Sequence, residues 1–429
     1  MILSLYTFLF EKQDCYYLYN SETGLLTKIR KDIYELLYNS DFEKLPPSVR
    51  DLLLKKKVII KDGTLYEYYN AKRLGYFSSI NDPHHLSLVI APTTGCNFDC
   101  PYCFEGSKKR VDITDKVIDG VIKFINGYKD LRTISLTWYG GEPLMAFGKI
   151  EEIVSKIHQE CQAKIMSHSI VTNAYLINDR VISFMKENPF KSIQITLDGT
   201  EEHHNSTRFL KGSHAPTFKK ILSNIDRLVK ELPVDTHISI RVNINKDNQD
   251  DFAELWQIIN ERYHQRKVHV YPGFIREATM DRSRMCFRCL VDKDVYAFYK
   301  RMDTIGFKQD LYPKLCSKGC MTCHNNSFII DPVGRLYKCW EDFNHPEMAI
   351  GSVINKKLTN ATLVSQYLYD SSVFNDPRCK ECLLFPVCDG GCAWYRFQNL
   401  FKGAKYNVCS YLKDRHILEE VLLSQKKNS

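Results

Sequence analysis

The chain has 429 residues, of which 44% are hydrophobic, and this is enough apolar material for a large α/β body with smaller attached domains. No stretch approaches the roughly 20 consecutive apolar residues of a spanning helix, which argues against an integral membrane protein. The net charge of +8 arises from 59 basic and 51 acidic residues spread over the chain, so a nucleic-acid partner is not expected either.

The sixteen cysteines are the unusual feature of the composition. The N-terminal sequence MILSLYTFLFEKQD is apolar, but it lacks a basic segment and reaches Glu11 early, so it predicts a strand and not an export signal. We therefore expect a cytoplasmic protein, in which cysteines stay reduced and bind metal more often than they form disulfides.

Residues 1–80 predict a small α+β domain. Strands are expected in ILSLYTFLF and CYYLYN, and helices in TKIRKDIYELLYNS and PPSVRDLLLKKK. A hairpin is expected in VIIKDGTLYEYY, because Asp62-Gly63 is a strong turn signal. This order of elements is typical of a winged helix.

From residue 85 to about residue 280, β-rich runs alternate with amphipathic helical stretches. Six strands are expected, near residues 86, 133, 168, 192, 237 and 267. The helices between them are expected in TDKVIDGVIKFING, KIEEIVSKIHQECQ, TFKKILSNIDRLVKEL and DDFAELWQIINERY. Successive βα units imply a parallel sheet, either doubly wound or a partial barrel.

Beyond about residue 280 the periodicity weakens and eleven cysteines follow, from Cys286 to Cys409. They stand among turn sequences such as DPVG and DGGC, which build little apolar core. We expect bound metal to organise this region.

Three cysteines, Cys96, Cys100 and Cys103, follow the first predicted strand of the sheet within eight residues. Pro101 disfavours a helix here, so the segment is expected to be a loop at the carboxyl end of that strand, where α/β barrels place their active sites. Structural zinc prefers four protein ligands, whereas a [4Fe-4S] cube held by three cysteines exposes one iron to a ligand. The missing fourth cysteine therefore predicts an open site.

The next strand ends in WYGGEPL. Gly140 and Gly141 are expected to let the backbone approach a ligand closely, and Glu142 would present a carboxylate to an amine at the same edge. The motif is weak alone, but it becomes specific one βα unit after C-x3-C-x2-C.

At this point the sequence resembles the radical S-adenosylmethionine (SAM) enzymes. The resemblance implies a partial (β/α)6 barrel over residues 85–280, a [4Fe-4S] cluster on Cys96, Cys100 and Cys103, and SAM chelated to its open iron. Glu142 would bind the SAM amine, Tyr102 would lie near the adenine, and TNA at Thr172–Ala174 is close to the family's TNG. For Arg208 a structural salt bridge is an equal alternative. The implied SAM-binding residues are Tyr102, Gly140, Gly141, Glu142, Pro143, Asn173, Thr196 and Arg208.

The C-terminal cysteines show the pattern C-x10-G-x4-C followed by C-x2-C-x5-C-x3-C and one more cysteine. As isolated sets they fit zinc or iron–sulfur sites. Their order resembles the SPASM extension of radical SAM enzymes, which would occupy residues 310–429 and hold two auxiliary [4Fe-4S] clusters, three clusters in all. The implied ligands are Cys323, Cys339 and Cys392 for the first auxiliary cluster, and Cys379, Cys382, Cys388 and Cys409 for the second.

Several thiols stay without a definite partner. Cys316 or Cys320 would complete the first auxiliary cluster, and the spacing favours Cys316. Cys15 and Cys161 are expected to be buried structural cysteines. Cys286 and Cys289 form a C-x2-C pair for which a redox role is an alternative.

The radical SAM resemblance implies hydrogen abstraction by a 5′-deoxyadenosyl radical, with electrons from a low-potential donor such as a flavodoxin or ferredoxin. SPASM members mostly act on peptides or proteins. The N-terminal domain resembles winged-helix elements that bind the leader of a ribosomal precursor peptide by adding a strand to a sheet edge. The alternatives are a domain that only packs on the barrel, or DNA binding, although no dense basic helix is present.

Three functions follow from these patterns. The first is a peptide maturase that installs a cross-link or thioether in a precursor peptide. The second is an anaerobic sulfatase maturase; such enzymes place an acidic base directly after the second SPASM cysteine, but here Trp340 follows Cys339, and Glu341 or Asp342 would have to supply the base. The third is a non-catalytic iron–sulfur or zinc scaffold.

Overall fold

The computed structural model describes residues 1–103, 109–264, 268–275, 290, 292–316, 319–343, 345–355 and 357–424. These residues form two compact units. Within the described ranges, the first unit takes Met1–Asn81, Gln309–Asn325 and the chain from Ser365 onward, and the second takes Asp82–Lys308 and Asn326–Val364. The predicted pair Cys286 and Cys289 lies outside the described residues.

The first unit begins with a three-stranded antiparallel sheet and two helices that cover one face of it. The elements are β1 Ile2–Leu3, β2 Thr7–Lys12, β3 Cys15–Asn20, β4 Leu25–Ile29, α1 Lys31–Tyr38, α2 Pro47–Lys55, β5 Ile59–Ile60 and α3 Glu67–Ile80. The sheet has the order β2-β3-β4, and β1 pairs with β5. Leu18 of the central strand packs with Leu37 of α1 and Leu53 of α2, because alternate strand residues face the same side.

The predicted hairpin across Asp62-Gly63 is wrong, because the chain continues as helix α3. Tyr69 and Tyr76, seven residues apart, both contact the ring of Phe374, with centroid distances of 5.6 and 5.1 Å. Residues seven apart lie on one face of a helix, so burial of these rings outweighs the local turn signal. Helix α1 begins at Lys31 and not at Thr27 as predicted, because residues Leu25–Ile29 form strand β4 and pair with β3.

The second unit is built on a sheet of ten strands. They are β6 His85–Ile90, β7 Thr133–Trp138, β8 Lys164–Thr172, β9 Phe190–Thr196, β10 His237–Ile244, β11 His269–Phe274, β12 Ser327–Ile330, β13 Arg335–Tyr337, β14 Gly351–Ser352 and β15 Lys357–Leu358. The order is β11-β10-β9-β8-β7-β6-β12-β13-β14-β15. The pairings from β11 to β12 are parallel and the last three are antiparallel. The predicted α/β class with a parallel sheet is confirmed, and all six predicted strands are present.

In the part of the chain that the structure describes, seven helices of the second unit connect the parallel strands and include all four predicted ones. They are α4 Asp115–Ile125, α5 Phe147–Glu160, α6 Asp179–Glu187, α7 Glu201–Thr207, α8 Phe218–Glu231, α9 Asp251–Arg262 and α10 Asp292–Thr304. A short helix, α11 Ala361–Ser365, follows β15 at the boundary between the two units. Each long helix buries an apolar stripe; in α4, for example, Val117, Val121 and Ile125 are buried.

The C-terminal part of the first unit contains three helices, α12 Pro377–Lys380, α13 Ala393–Phe401 and α14 Arg415–Ser424. Leu418 and Leu422 of α14 pack against Phe10 and Tyr19, on the sheet face opposite α1 and α2. Among the described helices, none has the length and apolar character needed to cross a membrane.

The two units do not follow the three predicted ranges 1–80, 85–280 and 310–429. Within the range 310–429, strands β12–β15 belong to the second unit, because β12 pairs in parallel with β6. The rest of that range belongs to the same unit as residues 1–81. Short strands in a cysteine-rich segment carry little periodic signal, and the sequence therefore did not predict this extension of the sheet.

His168 of β8 is buried in an aromatic layer of the second unit. Its ring stacks on Phe190 with centroids 5.2 Å apart and lies 6.4 Å from the Trp138 ring. Its Nδ1 has no hydrogen-bond partner among the described residues. Burial lowers the pKa of His168 from 6.5 to about 4, so the neutral ring is the form that the fold accepts.

We predict that His168 weakens the fold in acid. Because its pKa is lower in the folded than in the unfolded chain, its contribution is complete above pH 6.5 and is lost as pH falls toward 4. Between about pH 7 and pH 5, the free energy of unfolding of the wild type should fall by about 2 kcal/mol more than that of His168→Phe. Urea unfolding at both pH values measures this, with the exposed His237→Phe as control. An unchanged pH dependence in His168→Phe would contradict the prediction.

Candidate active site at the carboxyl edge of the sheet

The three-cysteine loop follows β6 and is held at its base by backbone pairing. Thr94 N–H donates to the Val111 carbonyl at 3.0 Å and Ile113 N–H to the Pro92 carbonyl at 2.8 Å. Cys96, Cys100 and Cys103 are all half-buried. This is the loop position that the sequence predicted.

The loop that contains Gly140 and Gly141 packs directly on the backbone of the cysteine loop. A Cβ on Gly140, whose φ is +119°, would lie 2.3 Å from the Thr93 carbonyl oxygen, and one on Gly141 would lie 2.4 Å from the Gly95 carbonyl oxygen. The Glu142 N–H also donates to the Gly95 carbonyl at 2.8 Å. Both glycines are therefore needed for contact between two loops, which is a different reason from the predicted approach to a ligand.

Glu142 is fully buried at this contact. One carboxylate oxygen accepts from Thr172 Oγ1 at 2.7 Å and from the Leu144 N–H at 3.1 Å, and the other accepts from the Asn173 N–H at 2.7 Å. Glu142 forms no ion pair with any described side chain. Burial raises its pKa to about 7, although the three donors and the charge of Arg208 oppose the shift.

Pro143 follows Glu142 as the first residue of a buried 3-10 turn, Pro143–Ala146. The fixed φ of proline suits the first position of a helical turn, and its missing N–H needs no partner there. The turn places the Leu144 N–H on the Glu142 carboxylate.

A second buried group of polar residues lies beside Cys100. The Tyr102 hydroxyl donates to the Asp198 carboxylate, and Arg208 Nη1 donates to the Tyr102 oxygen at 2.7 Å. Arg208 also pairs with Asp198 at 4.0 Å, lies 5.7 Å from the Phe98 ring centroid, and has no partner for its Nε among the described residues. Burial raises the pKa of Tyr102 well above its usual value, which keeps the phenol protonated. The salt-bridge alternative for Arg208 is therefore present in the geometry.

Asp198 and Asn97 are two residues of the site that the sequence did not predict. Asp198 stands two residues after Thr196, which is buried at the last position of β9, so the sequence TLDG at residues 196–199 was a signal for both. Asn97 stands between Cys96 and Cys100 and accepts from Asn173 Nδ2 at 2.7 Å, which joins the TNA segment to the cysteine loop. Only the folded chain reveals this contact.

Glu341 and Asp342 lie on a short 3-10 turn of the second unit, Trp340–Asp342, directly after the buried Cys339. The Trp340 ring contacts the Tyr139 ring edge-on at 4.5 Å, and Tyr139 precedes Gly140. The turn is thus anchored next to the Glu142 loop. Asp342 is fully buried and Glu341 is partly exposed, so Glu341 is the more accessible candidate base.

The remaining predicted C-terminal ligands belong to the first unit. Gly391, between Cys388 and Cys392, has a φ of +74°, and a Cβ there would lie 2.0 Å from the Val408 carbonyl oxygen. This close approach brings the segment of Cys388 and Cys392 against the residue before Cys409. Cys379 and Cys382 share a turn in which the Cys382 N–H donates to the Cys379 carbonyl at 3.2 Å.

The two alternatives for the fourth ligand of the first auxiliary cluster have different surroundings. Cys320 shares a turn with Cys323, whose N–H donates to the Cys320 carbonyl at 3.0 Å, and the two thiols interact. Cys316 Sγ instead lies 3.5 Å from the Val387 carbonyl oxygen, beside Cys388. These contacts associate Cys320, and not the predicted Cys316, with Cys323.

The residues of the cysteine loop fit an iron–sulfur cluster with a cationic ligand beside it. Burial and the Glu142 carboxylate raise the pKa of the Cys96 thiol to about 12, so Cys96 ionises only when a metal supplies positive charge. In the described ranges no three His, Cys, Asp or Glu side chains converge on one metal-ion position. The cysteines of a cube bind different iron atoms, and this arrangement does not require their sulfurs to meet at one point.

The fold and this site define an α/β protein with a cysteine loop and a buried carboxylate at the carboxyl edge of a parallel sheet. Residues 90–258, which contain both, match the Radical SAM superfamily. That segment is a radical SAM domain.

Curated relatives resemble most of the chain. The cysteine-type anaerobic sulfatase-maturating enzyme of Clostridium novyi is 25% identical over 352 residues, which cover 75% of this chain and 92% of the relative. The radical SAM cyclopropyl synthase TigE of Paramaledivibacter caminithermalis is 22% identical over 451 residues, covering 91% and 89%.

Solved structures share the fold. The native enzyme anSMEcpe with bound AdoMet and the Cp18Cys peptide superimposes with a TM-score of 0.62 at 20% identity, covering 81% of this chain and all of that one. Streptococcus suis SuiB bound to precursor peptide SuiA gives a TM-score of 0.53 at 16% identity, covering 96% and 99%.

We predict that Gly140→Ala separates the two loops of the site. The new Cβ meets the Thr93 carbonyl and the φ is unfavourable for alanine, so stability should fall by about 2 to 4 kcal/mol and SAM cleavage by at least about 100-fold. Gly148→Ala is the matched control, because that exposed helical glycine has no atom within 4 Å of its Cβ position. Equal behaviour of the two variants in thermal unfolding and 5′-deoxyadenosine assays would refute the loop contact.

Proposed function

We propose that this chain is a radical SAM peptide maturase that abstracts hydrogen from a ribosomal precursor peptide and installs a cross-link or thioether. When bound, the cluster and SAM supply a 5′-deoxyadenosyl radical. The observation that carries the SAM site is the buried Glu142 carboxylate with three neutral donors and no ion-pair partner.

The chain's own contribution to SAM binding begins with this charge. A buried carboxylate without a cation is unfavourable, and an ammonium group placed against it recovers the cost of burial. Thr172 and Asn173 hold the carboxylate in one orientation, so a ligand amine next to the cysteine loop meets a fixed acceptor. This geometry favours an amino-acid-like ligand such as SAM.

Tyr102, Asp198 and Arg208 would form the wall next to Cys100. Asp198 fixes the Tyr102 hydroxyl and Arg208 binds its oxygen, so the phenol ring has one orientation. A fixed, partly buried aromatic ring suits the adenine of SAM and keeps water from the reacting bond. Thr196 would add a hydroxyl from the neighbouring strand end.

A peptide substrate is supported by relatives whose names or titles mention peptides, namely SuiB with SuiA and anSMEcpe with Cp18Cys. The N-terminal sheet offers a place for a leader. Strand β4 pairs only with β3, and its other edge has no strand partner among the described residues. Both sheet faces are covered, by α1 and α2 on one side and by α14 on the other, which leaves the edges at β2 and β4, and we propose that the leader adds to the β4 edge.

Two auxiliary [4Fe-4S] clusters on the C-terminal cysteines complete the proposal, with a flavodoxin or ferredoxin as electron donor. Thiol contacts in the first unit support this assignment. Gly390 N–H donates to Cys388 Sγ at 3.3 Å, and Arg396 and Lys413 donate to two further cysteines of the same set. Such N–H contacts are typical of thiolates that bind iron.

Sulfatase maturation is the second candidate, because the Clostridium novyi relative and anSMEcpe share much of the chain. Its base would be Glu341 or Asp342, on the turn anchored to Tyr139 by Trp340. Incubation with a cysteine-containing sulfatase peptide distinguishes the two functions. Formylglycine in the product would favour the sulfatase reaction, and a cross-linked or thioether product from the precursor would favour the first proposal.

We predict that Glu142→Gln weakens SAM binding at least about 100-fold, because an amide cannot neutralise the ligand ammonium. Equilibrium binding of SAM to the reconstituted enzyme measures this, and iron content should stay unchanged. The exposed Glu160→Gln is the control. Unchanged SAM affinity in Glu142→Gln would remove the central support for this site.

We predict that proline in β4 blocks leader binding. Successive residues of an edge strand direct their N–H groups alternately toward the partner strand and outward, so either Thr27→Pro or Lys28→Pro removes an outward donor without breaking the β3 ladder. That folded variant should bind a fluorescent precursor peptide about tenfold more weakly, while SAM cleavage under dithionite stays unchanged. Wild-type peptide affinity in both folded variants would rule out the β4 edge.

A further inference from the structure

Cationic side chains contact the cysteines of the second predicted auxiliary set, Cys379, Cys382, Cys388 and Cys409. Arg396 Nη2 donates to Cys379 Sγ at 3.3 Å and Lys413 Nζ donates to Cys382 Sγ at 3.4 Å. Arg378 lies within electrostatic range of both Cys379 and Cys409. Positive charge is therefore present next to three of the four thiols.

Arg396 is fixed in this position. It is buried, its Nε donates to the Gly390 carbonyl at 2.6 Å, and its Nη1 donates to the Asp376 carboxylate at 2.7 Å. All three donor directions are therefore used, and the Nη2–H toward Cys379 cannot turn away. Lys413 differs, since it is exposed and reaches Cys382 from the protein surface.

Nearby carboxylates do not cancel this charge. Asp376 is shared, because it also accepts from Arg378 at 2.7 Å, so one negative charge faces two arginines. Lys72 donates to the carbonyls of Phe385 and Pro386 at 2.8 and 3.2 Å and interacts with Asp389. The carboxylates therefore leave a positive surplus around the four cysteines.

We propose that Arg396 and Lys413 raise the reduction potential of an iron–sulfur cluster held by Cys379, Cys382, Cys388 and Cys409. The inference rests on the proposed function, which assigns a cluster to these cysteines. Reduction adds one negative charge to the cluster, and a fixed cation or N–H donor at a ligating sulfur stabilises the reduced form more than the oxidised form. Both residues act on the couple through the cysteine thiolates and are positioning residues.

The redox step is a single-electron transfer. One electron enters the cluster, whose core charge falls from 2+ to 1+, while the four iron–thiolate bonds stay intact and no proton is taken up. In the experiment dithionite is the electron source and is oxidised in turn.

A potentiometric titration followed by electron paramagnetic resonance tests this inference on the full reconstituted chain. Cys100→Ala is included throughout, so that the SAM-binding cluster does not contribute to the signal. At the potential where the signal of the Cys100→Ala parent is half reduced, adding Lys413→Gln should lower the ratio of reduced to oxidised cluster roughly threefold. Arg396→Gln should lower it further, and Arg396→Lys should lie between the parent and Arg396→Gln.

The exposed Lys402→Gln, at the residue that follows α13, is the matched control and should leave the titration unchanged. If Lys413→Gln and Arg396→Gln both keep their iron and titrate like the Cys100→Ala parent, the tuning inference is overturned. If Arg396→Gln loses the cluster, the result for Lys413→Gln alone tests the tuning inference. Lys413 is exposed at the surface, so its replacement is not expected to disturb the fold. If Cys382→Ala removes no part of the auxiliary signal, these four cysteines hold no cluster. That result would contradict the proposed function in its assignment of a cluster to them, and not the tuning inference.

Discussion

The candidate active site depends on the close backbone contact between the cysteine loop and the loop that begins at Gly140. Two missing Cβ atoms allow carbonyl oxygens of Thr93 and Gly95 to approach within distances that no side chain would permit. This contact buries the Glu142 carboxylate beside Cys96. A buried carboxylate without an ion-pair partner is unfavourable, and the site therefore favours a cationic ligand next to the thiols that are predicted to bind metal.

The same principle recurs in the first unit, where cysteines and fixed charges are also brought together by close backbone packing. Gly391 contacts the Val408 carbonyl and so places Cys388 and Cys392 near the segment of Cys409. There the fixed charge is positive, because the Arg396 guanidinium donates to the Cys379 thiol as well as to the Asp376 carboxylate. In the second unit, the buried Glu142 carboxylate is suited to binding an ammonium group. In the first unit, the cationic side chains beside the cysteines would stabilise a cluster that has gained an electron.

Sequence patterns predicted the parallel strands and the cysteine loop, because periodicity and spacing are local properties. They failed where tertiary contacts decide the outcome. The turn signal at Gly63 did not produce a hairpin, since α3 buries Tyr76 against residues some 300 positions away. Asp198 was missed because its role depends on Tyr102, 96 residues earlier, which only the folded sheet brings into contact. That α14 covers one face of the N-terminal sheet was likewise visible only in the folded chain.

The most direct test of the central claim is anaerobic reconstitution with iron and sulfide, followed by quantification of iron and of 5′-deoxyadenosine formed from SAM under dithionite. The account predicts about twelve irons per chain with SAM cleavage, and about eight irons without SAM cleavage in Cys100→Ala. Bound zinc with no 5′-deoxyadenosine, or full activity in Cys100→Ala, would contradict it.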